Sequence, residues 1–538
     1  MKLLIVGFDG ATFDLIRPWV EEGHLPNLAS IMNGGVHGEL LSTLPPVTSP
    51  AWPTFMTGCN PGKHGVFDFI QPHGDNFTLV NATRIRQPTI WQRLSDAGYR
   101  VGVMNVPVTY PPAEINGFIV SGLLSPNTGQ ISEPADLFGG PEPAFGPYRV
   151  APNVQYKPGA ESEFIDDLYD LIHTRGQWAL HLLEKDPVDV LMVHFIAMDV
   201  MKHALWRFMD HNHPRFEPGP YEHAIRDGYR LVDQYIGRLM EMLPPETTTL
   251  VMSDHGFGPL NNMVNLNVFF MEKGLMKLKR DPWTQLKALA FRWGITPSKA
   301  YQWIARLGLQ NMVTRVSKNT RNNVIGRFLS FDSVDWERTV AYSMGHVGQV
   351  YLNLAGREPH GIVTPEQYGQ KRQEVIDILH ELKDDDGRPI LSQVISGETA
   401  YHGPYAAKGP DLHLILDDYN MIACPLFATE GKVLTSQIRG DSGCHRSKGV
   451  FLVQGPVIKK GVELPTSNIL DLAPTIMHLL GERVPKVMDG QVLTEIFTEK
   501  QVITYEEGGD TLELVSEKGF SSNEAAQVEE RLRGLGYL

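Results

Sequence analysis

The sequence predicts an α/β protein with a doubly wound, mostly parallel sheet and a helical cap insertion. Short apolar runs that end near Gly, Asp or Asn recur at 3–6, 100–104, 188–195, 248–252, 412–416 and 450–453. Segments of helical length separate these runs, which is typical of buried parallel strands joined by helices. Polar residues follow several runs, at the edge of the sheet where ligands bind in such folds.

Length, composition and charge limit the classes of protein. A chain of 538 residues is long enough for one large elaborated domain or for two domains. Hydrophobic residues make up 42% and charged residues 20%, which excludes disordered and fibrous classes. The net charge of −14 has the wrong sign for a surface that binds nucleic acid throughout. We therefore expect a globular protein without a nucleic-acid partner.

The cysteines and the N-terminal segment indicate the compartment. Cys59, Cys424 and Cys444 are far apart and form no C-x-x-C pair, so they predict neither a disulfide framework nor a thiolate zinc site. The first apolar run is too short for the core of a signal peptide, and no run approaches the roughly 18 apolar residues that span a bilayer. We expect a cytoplasmic protein, either soluble or peripheral to a membrane.

Residues 266–338 differ in character from the rest of the chain. We expect them to form a basic helical insertion or cap on a discontinuous catalytic domain made of 1–265 and 339–538. Trp283, Leu286, Ala290 and Trp293 have helical spacing. Segment 276–330 contains eleven basic residues and one acidic residue, Asp281, whereas the rest of the chain carries −24. The segment either contacts an anionic membrane surface, partner or substrate, or is a solvated cap whose tryptophans face the core.

Several carboxylates and imidazoles are placed where they could bind metal ions. Each has a plain structural alternative, such as a turn aspartate, a helix cap or a loop histidine. One pair has i, i+4 spacing and would share a helix face, and another follows a predicted strand directly. Together they supply three carboxylates and three imidazoles, a set that suits two divalent ions of intermediate hardness: Asp9, Asp199, His203, Asp254, His255 and His445.

Thr48 is the candidate nucleophile. Prolines end the strand before it, and Pro50 suits the first turn of a helix that begins near Thr48. A threonine hydroxyl is a poor nucleophile at neutral pH, but coordination to a metal ion can hold it as an alkoxide. The alternative is that Thr48 or Ser49 serves only as the helix N-cap.

These motifs together resemble the alkaline phosphatase superfamily, and most closely its type I phosphodiesterase / nucleotide pyrophosphatase family. The resemblance covers nearly the whole chain outside 266–338. The residues that carry it are Leu3–Gly10, Thr48-Ser49-Pro50, Thr57–Gly65, Asp199, His203, Ser253–Gly256, His445 and Ile469–Thr475.

The resemblance implies an alkaline phosphatase-like fold and a site with two divalent ions, zinc or else manganese. One ion would be held by Asp199, His203 and His445, and the other by Asp9, Asp254 and His255. Thr48 would bridge the two ions and attack phosphorus. The implied reaction cleaves a phosphodiester or pyrophosphate bond of a nucleotide-like small molecule through a phospho-threonine, which water then hydrolyses.

The chain departs from the family pattern in one respect that bears on substrate. Nucleotide pyrophosphatases place an asparagine about two dozen residues after the nucleophile, whereas this chain has Val66-Phe67-Asp68-Phe69 there. Asn105, just after a predicted strand, could hold the phosphate oxygen instead, or it is a turn asparagine. Cys59-Asn60-Pro61-Gly62-Lys63 resembles the sulfatase C-x-P-x-R motif, but its position after the nucleophile helix indicates a structural role.

Alternative functions remain within and outside the superfamily. A phosphomonoesterase, a phosphoglycerate mutase-like enzyme and a phosphonate hydrolase would share the metal ligands, because ester preference depends on the pocket walls rather than on the metals. An alternative of another class is a non-catalytic binding protein that keeps the fold. The complete set of ligand residues favours an enzyme.

Overall fold

The computed structural model describes residues 1–73, 76–293, 329–345, 347–424, 431–436, 440–507 and 519–535. The helices are α1 (Phe13–Glu21), α2 (Pro26–Gly34), α3 (Thr48–Thr57), α4 (Pro61–His64), α5 (Ile90–Asp96), α6 (Glu161–Lys185), α7 (Ala197–Met209), α8 (Ala224–Glu241), α9 (Leu266–Glu272), α10 (Pro282–Arg292), α11 (Tyr368–Leu379), α12 (Gly397–Ala400), α13 (Leu472–Leu479) and α14 (Ser522–Leu535). The strands are β1 (Leu3–Phe8), β2 (Val36–Leu41), β3 (Ile70–His73), β4 (Asn76–Leu79), β5 (Val101–Met104), β6 (Gly117–Val120), β7 (Ser132–Glu133), β8 (Val190–Phe195), β9 (Thr248–Met252), β10 (Gly256–Pro259), β11 (Asn262–Val264), β12 (Ala341–Ser343), β13 (Gln349–Leu352), β14 (Leu391–Ser396), β15 (Leu412–Leu416), β16 (Met421–Ala423), β17 (Leu434–Thr435), β18 (Gly443–Arg446), β19 (Lys448–Gln454), β20 (Val462–Glu463), β21 (Ser467–Asn468), β22 (Val484–Pro485) and β23 (Tyr505–Glu506).

A ten-stranded sheet forms the centre of the molecule. Its order is β20-β2-β19-β9-β1-β8-β5-β6-β7, and β21 also pairs with β2. The five strands from β9 to β6 are parallel, whereas β19 runs antiparallel between β9 and β2. Five of the six predicted strands lie in this sheet, which confirms the predicted fold class.

The central strands are buried along their whole length. Every residue of β1, β5, β8 and β9 is buried. Such strands need apolar side chains on both faces, because helices cover both faces of a parallel sheet. This burial explains why the runs read as continuous apolar stretches rather than as an alternating pattern.

A second sheet was not predicted from the sequence. It has the order β12-β13-β15-β16-β11-β17, and β14 pairs with β15. The run 412–416 is a strand, β15, but it pairs antiparallel with β13 and β14 and does not belong to the main sheet as expected. An apolar run reveals that a strand is buried, but not which strands it will pair with.

The described part of the basic segment contains the predicted helix, α10, after a buried helix, α9. Phe269 and Phe270 of α9 lie in the main hydrophobic core. Residues 294–328, the greater part of the segment, lie outside the described residues, so the insertion and its boundaries remain a prediction. Within the described ranges, no helix combines the length and apolar character needed to cross a membrane.

Candidate active site

The order of the strands brings the candidate ligands to one edge of the main sheet. Asp9 directly follows β1, Asp199 lies in the first turn of α7 after β8, and Asp254 follows β9. Since β1 pairs in parallel with both β8 and β9, the carboxyl ends of the three strands are adjacent. The side chains therefore lie together as the sequence predicted.

Asp199, His203 and His445 form the first group of candidate ligands. Their ligand atoms all lie within 4.8 Å of one another. His203 Nε2 is 3.5 Å from Asp199 Oδ2, and His445 Nε2 is 3.3 Å from Asp199 Oδ1. Nδ1 of His203 lies 3.0 Å from the Gly443 carbonyl oxygen, and Nδ1 of His445 lies 2.9 Å from the Pro46 carbonyl oxygen. Because a carbonyl only accepts, each Nδ1 carries the proton and each Nε2 offers a lone pair to the centre.

The second group shares a carboxylate with the first. Ligand atoms of Asp9, Asp199 and His255 lie within 4.8 Å of one another. His255 Nε2 is 3.3 Å from Asp254 Oδ2 and 3.6 Å from Asp9 Oδ1, which places Asp254 beside this group as well. Among the described residues, Asp9 Oδ1 and Asp254 Oδ2 have no hydrogen-bond donor, although both side chains are fully buried. Orphaned buried carboxylate oxygens of this kind fit a cation.

Thr48 is the first residue of α3, and its hydroxyl faces the cluster. Val47, in an extended conformation, occupies the cap position, so neither Thr48 nor Ser49 is the N-cap. Thr48 Oγ1 lies 3.3 Å from His255 Nε2 and is fully buried. The structure therefore does not support the alternative in which Thr48 only caps the helix.

Two residues at the cluster were not identified as site residues from the sequence. The Lys202 ammonium donates to the backbone oxygens of Asp9, at 3.1 Å, and of Gly10. His194 Nε2 lies 2.8 Å from Asp9 Oδ2, while its Nδ1 lies 2.9 Å from the Asn105 carbonyl oxygen. Each residue had one signal in the sequence. Lys202 lies between the candidate ligands Asp199 and His203 on α7, and His194 is a polar residue inside the apolar strand β8.

The surroundings disfavour the charged forms of two of the three carboxylates in the cluster. Burial, together with Asp254 and Asp199, holds the pKa of Asp9 well above its usual range. Burial also raises the pKa of Asp254, and Asp199 adds to this shift. Burial lowers the pKa of Lys202 to about 8 in spite of the neighbouring carboxylates. Buried carboxylates need nearby positive charge to stay ionised, and the Lys202 ammonium supplies only part of it.

Asn105 contacts the cluster through its backbone rather than through its side chain. It has a left-handed backbone with φ of 65° and is fully buried. Its carbonyl accepts from His194, and its side-chain Oδ1 is 3.5 Å from the Tyr148 hydroxyl. Asn105 does not line the cavity described next. Its predicted role in substrate binding stays a prediction.

A cavity opens beside the first ligand group, between the main sheet and the second sheet. It contains about 450 Å³ of open space, a volume that includes the solvent at its mouth. Residues from both sides line it: Val47, Asp68, Phe69, His203, Leu260, Met263, Val347, Ile422, Asp441, Cys444 and His445. The second sheet thus supplies walls for whatever binds at His203 and His445.

Asp68 is an acidic residue in the wall of the cavity, and each of its two carboxylate oxygens accepts a hydrogen bond. Its oxygens accept from the Phe69 backbone N–H at 2.6 Å and from Gln349 Nε2 at 2.8 Å. No lysine or arginine among the described residues forms an ion pair with it, and burial raises its pKa to about 7. It occupies the stretch in which the family pattern places an asparagine.

The segment Cys59–Lys63 lies away from the ligand groups. Cys59 is buried, its Sγ is 3.5 Å from the Val487 carbonyl oxygen, and burial raises its thiol pKa to about 12. Asn60 and Lys63 bind Asp489. These contacts agree with the structural role expected for this segment.

A scan of known protein families identifies the family to which the chain belongs. Residues 3–424 match the family described as type I phosphodiesterase / nucleotide pyrophosphatase. This chain belongs to that family. It is a phosphoric ester hydrolase of the phosphodiesterase / nucleotide pyrophosphatase type. The match includes every candidate ligand except His445, which lies beyond residue 424.

Solved structures share the fold of this phosphodiesterase-family chain. Human ectonucleotide pyrophosphatase / phosphodiesterase 5 is 15% identical, with 93% of this chain and 100% of that chain covered and a TM-score of 0.50. Phosphonoacetate hydrolase from Sinorhizobium meliloti 1021, in complex with phosphonoformate, is 14% identical, with 88% and 94% covered and a TM-score of 0.51. At these identities the likeness shows the fold alone. A comparison with curated protein sequences finds no match.

Proposed function

We propose that the protein cleaves phosphodiester or pyrophosphate bonds through a phospho-threonine formed on Thr48, with the help of bound divalent ions. One observation carries the proposal. Thr48 Oγ1 lies 3.3 Å from His255 Nε2, beside two overlapping groups of carboxylates and imidazoles. A structural cap or a turn would not need a buried hydroxyl beside three buried carboxylates.

The donor atoms fit two divalent metal ions. We assign Asp199, His203 and His445 to one ion, and Asp9, Asp254 and His255 to the other, with Thr48 between them. Mixed carboxylate and imidazole ligands suit zinc, and also manganese. When bound, such ions polarise a phosphoryl oxygen and favour the ionised form of a coordinated hydroxyl.

The chain's own residues supply the nucleophile and its orientation. Thr48 Oγ1 forms the new bond to phosphorus, and the bond from phosphorus to the leaving alcohol or nucleotide breaks. Thr48 stands in the first turn of α3, where unpaired backbone N–H groups favour negative charge on the hydroxyl and the phosphoryl oxygens. Water then attacks the phospho-threonine and restores the hydroxyl.

The position of the cavity supports a proposal on the substrate, and the state of the cysteines supports one on the compartment. We propose a small molecule with a phosphodiester or nucleotide-like phosphate as substrate, because the cavity opens directly beside His203 and His445. We propose a cytoplasmic location, because the three cysteines are free and buried. We also propose that the basic segment 276–330 contacts an anionic surface. The rival activities within the superfamily, namely monoester, mutase and phosphonate chemistry, remain outcomes of the test.

The test is hydrolysis of an aryl phosphodiester beside the matching monoester, after chelation and after addition of zinc or manganese. We expect metal-dependent diester cleavage that falls about 10³-fold or more in Thr48→Ala. Thr48→Ser restores a hydroxyl and should recover part of the rate. Ser49→Ala, at the buried neighbouring position, is the matched control and should keep the activity.

Other results would identify another function. Preference for the monoester would indicate a phosphatase or a mutase relative. Full diester activity in Thr48→Ala would disprove the phospho-threonine. Metal binding without cleavage of either ester, with a phosphonate hydrolysed instead, would indicate a phosphonate hydrolase, and failure to bind metal would favour the non-catalytic binding protein.

A further inference from the structure

Four large apolar side chains of helix α10 and its C-terminal cap face solvent. The exposed fractions are 65% for Trp283, 56% for Leu286, 47% for Leu289 and 72% for Trp293, the residue that caps the helix C-terminus. Their spacing of i, i+3, i+6 and i+10 places all four on one side of the helix. We call these four residues the α10 stripe. Of the two alternatives for this segment, the one in which the tryptophans face the core therefore does not hold for Trp283 and Trp293.

The opposite side of α10 is anchored, so the stripe is held outward. Phe291 is 4% exposed and forms a small core with Val268 and Leu329. Just before the helix begins, the Lys279 backbone N–H donates to the Ser333 carbonyl oxygen at 2.9 Å. Rolling the helix to bury the stripe would expose Phe291 and strain this connection.

Basic residues surround the stripe. Lys287 Nζ lies 5.7 Å from the centre of the Trp283 ring. Asp281 is the only acidic residue between 276 and 293, and its carboxylate is engaged as the helix cap. The basic residues in that range are Lys277, Lys279, Arg280, Lys287 and Arg292. The chain outside 276–330 carries a net charge of −24, so electrostatic attraction to an anionic surface favours approach through this basic and apolar helix.

We propose that the α10 stripe docks the protein on an anionic lipid bilayer, with α10 lying flat in the interface. Tryptophan and leucine enter the headgroup boundary, and flanking lysine and arginine side chains reach the phosphates. The eleven residues of α10 give a docking element about 16 Å long. A pairing of α10 with the α10 of a second copy is disfavoured, because it would oppose two basic segments.

The test is flotation of the full-length protein with vesicles of phosphatidylcholine alone and of phosphatidylcholine mixed with phosphatidylglycerol. We expect binding to the anionic vesicles only, weakened by salt, together with a blue shift of tryptophan fluorescence. The double variant Trp283→Ser/Trp293→Ser should lose binding at least tenfold. Lys279→Gln/Lys287→Gln should lose roughly fivefold per lysine removed, since each cation contributes about that factor near a charged surface.

Matched controls separate docking from misfolding. Val502→Ser and Tyr505→Ser alter side chains that are 83% and 51% exposed but lie outside α10, and these variants should bind as the wild type does. Diester turnover in solution should be unchanged in every variant, so a failure of docking is distinct from a failure of the proposed reaction. Equal binding by the tryptophan variant, or no binding by the wild type, overturns the proposal. A dimer that dissociates in the tryptophan variant, without vesicle binding, would instead assign the stripe to self-association.

Discussion

The direction in which each histidine points determines what the cluster can bind. His203, His255 and His445 each place Nδ1 against a backbone carbonyl oxygen, at 3.0, 3.0 and 2.9 Å. The backbone therefore selects one tautomer for all three and leaves Nε2 for a ligand. His194 differs, because it lies between the Asn105 carbonyl oxygen and the Asp9 carboxylate. Its contact with Asp9 makes it a positioning residue.

We expect His194→Ala to weaken metal binding without removing the nucleophile. The substitution removes the imidazole that contacts Asp9 Oδ2 at 2.8 Å, and losing a side chain that orients a metal ligand reduces metal affinity about 10- to 100-fold. Competition with a chromogenic chelator measures the affinity, and diester turnover should recover at saturating metal. The control is His64→Ala, which removes an equally buried histidine that bonds Thr54 Oγ1 at 2.9 Å outside the cluster. Unchanged affinity in His194→Ala would contradict this role.

Asp68 should make the metal-free protein less stable as the pH rises. Burial raises its folded-state pKa to about 7, whereas an unfolded aspartate titrates near 3.9, so between these values only the folded state holds the proton. The free energy of unfolding therefore falls as the pH rises, by about 2–3 kcal/mol between pH 5 and 8. We expect Asp68→Asn to raise the Tm of the chelated protein more at pH 8 than at pH 5. The exposed Asp136→Asn should show no such trend, and a pH-independent effect of Asp68→Asn would refute the assignment.

At the scale of elements, Asp489 joins helix α4, which follows the helix that carries Thr48, to the C-terminal part of the chain. Its carboxylate accepts from the Asn60 backbone N–H at 2.8 Å, from Lys63 Nζ, and from His402 Nε2 at 3.0 Å. Burial raises the pKa of Asp489, but the hydrogen bonds from Lys63 and Asn60 outweigh burial, so the net shift is downward. These contacts fix α4 against the C-terminal part of the chain.

We expect Asp489→Asn to lower the Tm at neutral pH, by an amount that reflects about 1–2 kcal/mol. Because the folded-state pKa is depressed, the stabilisation is present above the unfolded pKa near 3.9 and is lost as the pH falls through the folded value. The difference in Tm should therefore stay constant from pH 8 to 5 and shrink below about pH 4. Asp386→Asn, which alters an exposed ion pair with Arg388, is the control and should change little.

The sequence predicted where the strands lie better than it predicted which strands pair with one another. The strands before Asp9 and Asp254 could be found because each is a continuous apolar run that ends in a polar residue. β15 was found for the same reason, but was assigned to the wrong sheet, since pairing depends on contacts distant in sequence. His194 and Lys202 were missed because a polar residue among apolar neighbours shows its function only once its partner, Asp9, is known to be close. The position of Asp68 in the cavity wall could not be predicted, because the second sheet on the other side of the cavity was not predicted either.

At the scale of the whole molecule, we expect bound metal to stabilise the fold. Zinc or manganese at about 100 times its dissociation constant should add about 2.7 kcal/mol, seen as a concentration-dependent rise in Tm after chelation. Asp9→Asn should raise the Tm of the chelated protein, because it removes one of three crowded carboxylates, and should reduce the rise on adding metal. Ser49→Ala should behave as the wild type in both states. A Tm insensitive to metal in the wild type would contradict the assignment.

The ligands span the chain from Asp9 to His445, and this span has a consequence for the order of events during synthesis. The ribosome releases the amino-terminal residues first, so all three carboxylates leave it before the last imidazole does. A nascent chain that ends before residue 445 holds the acidic half of the centre without His445. Under the proposed assignment, a fragment that ends before residue 445 lacks one ligand of the first ion and should retain less metal than the full-length chain.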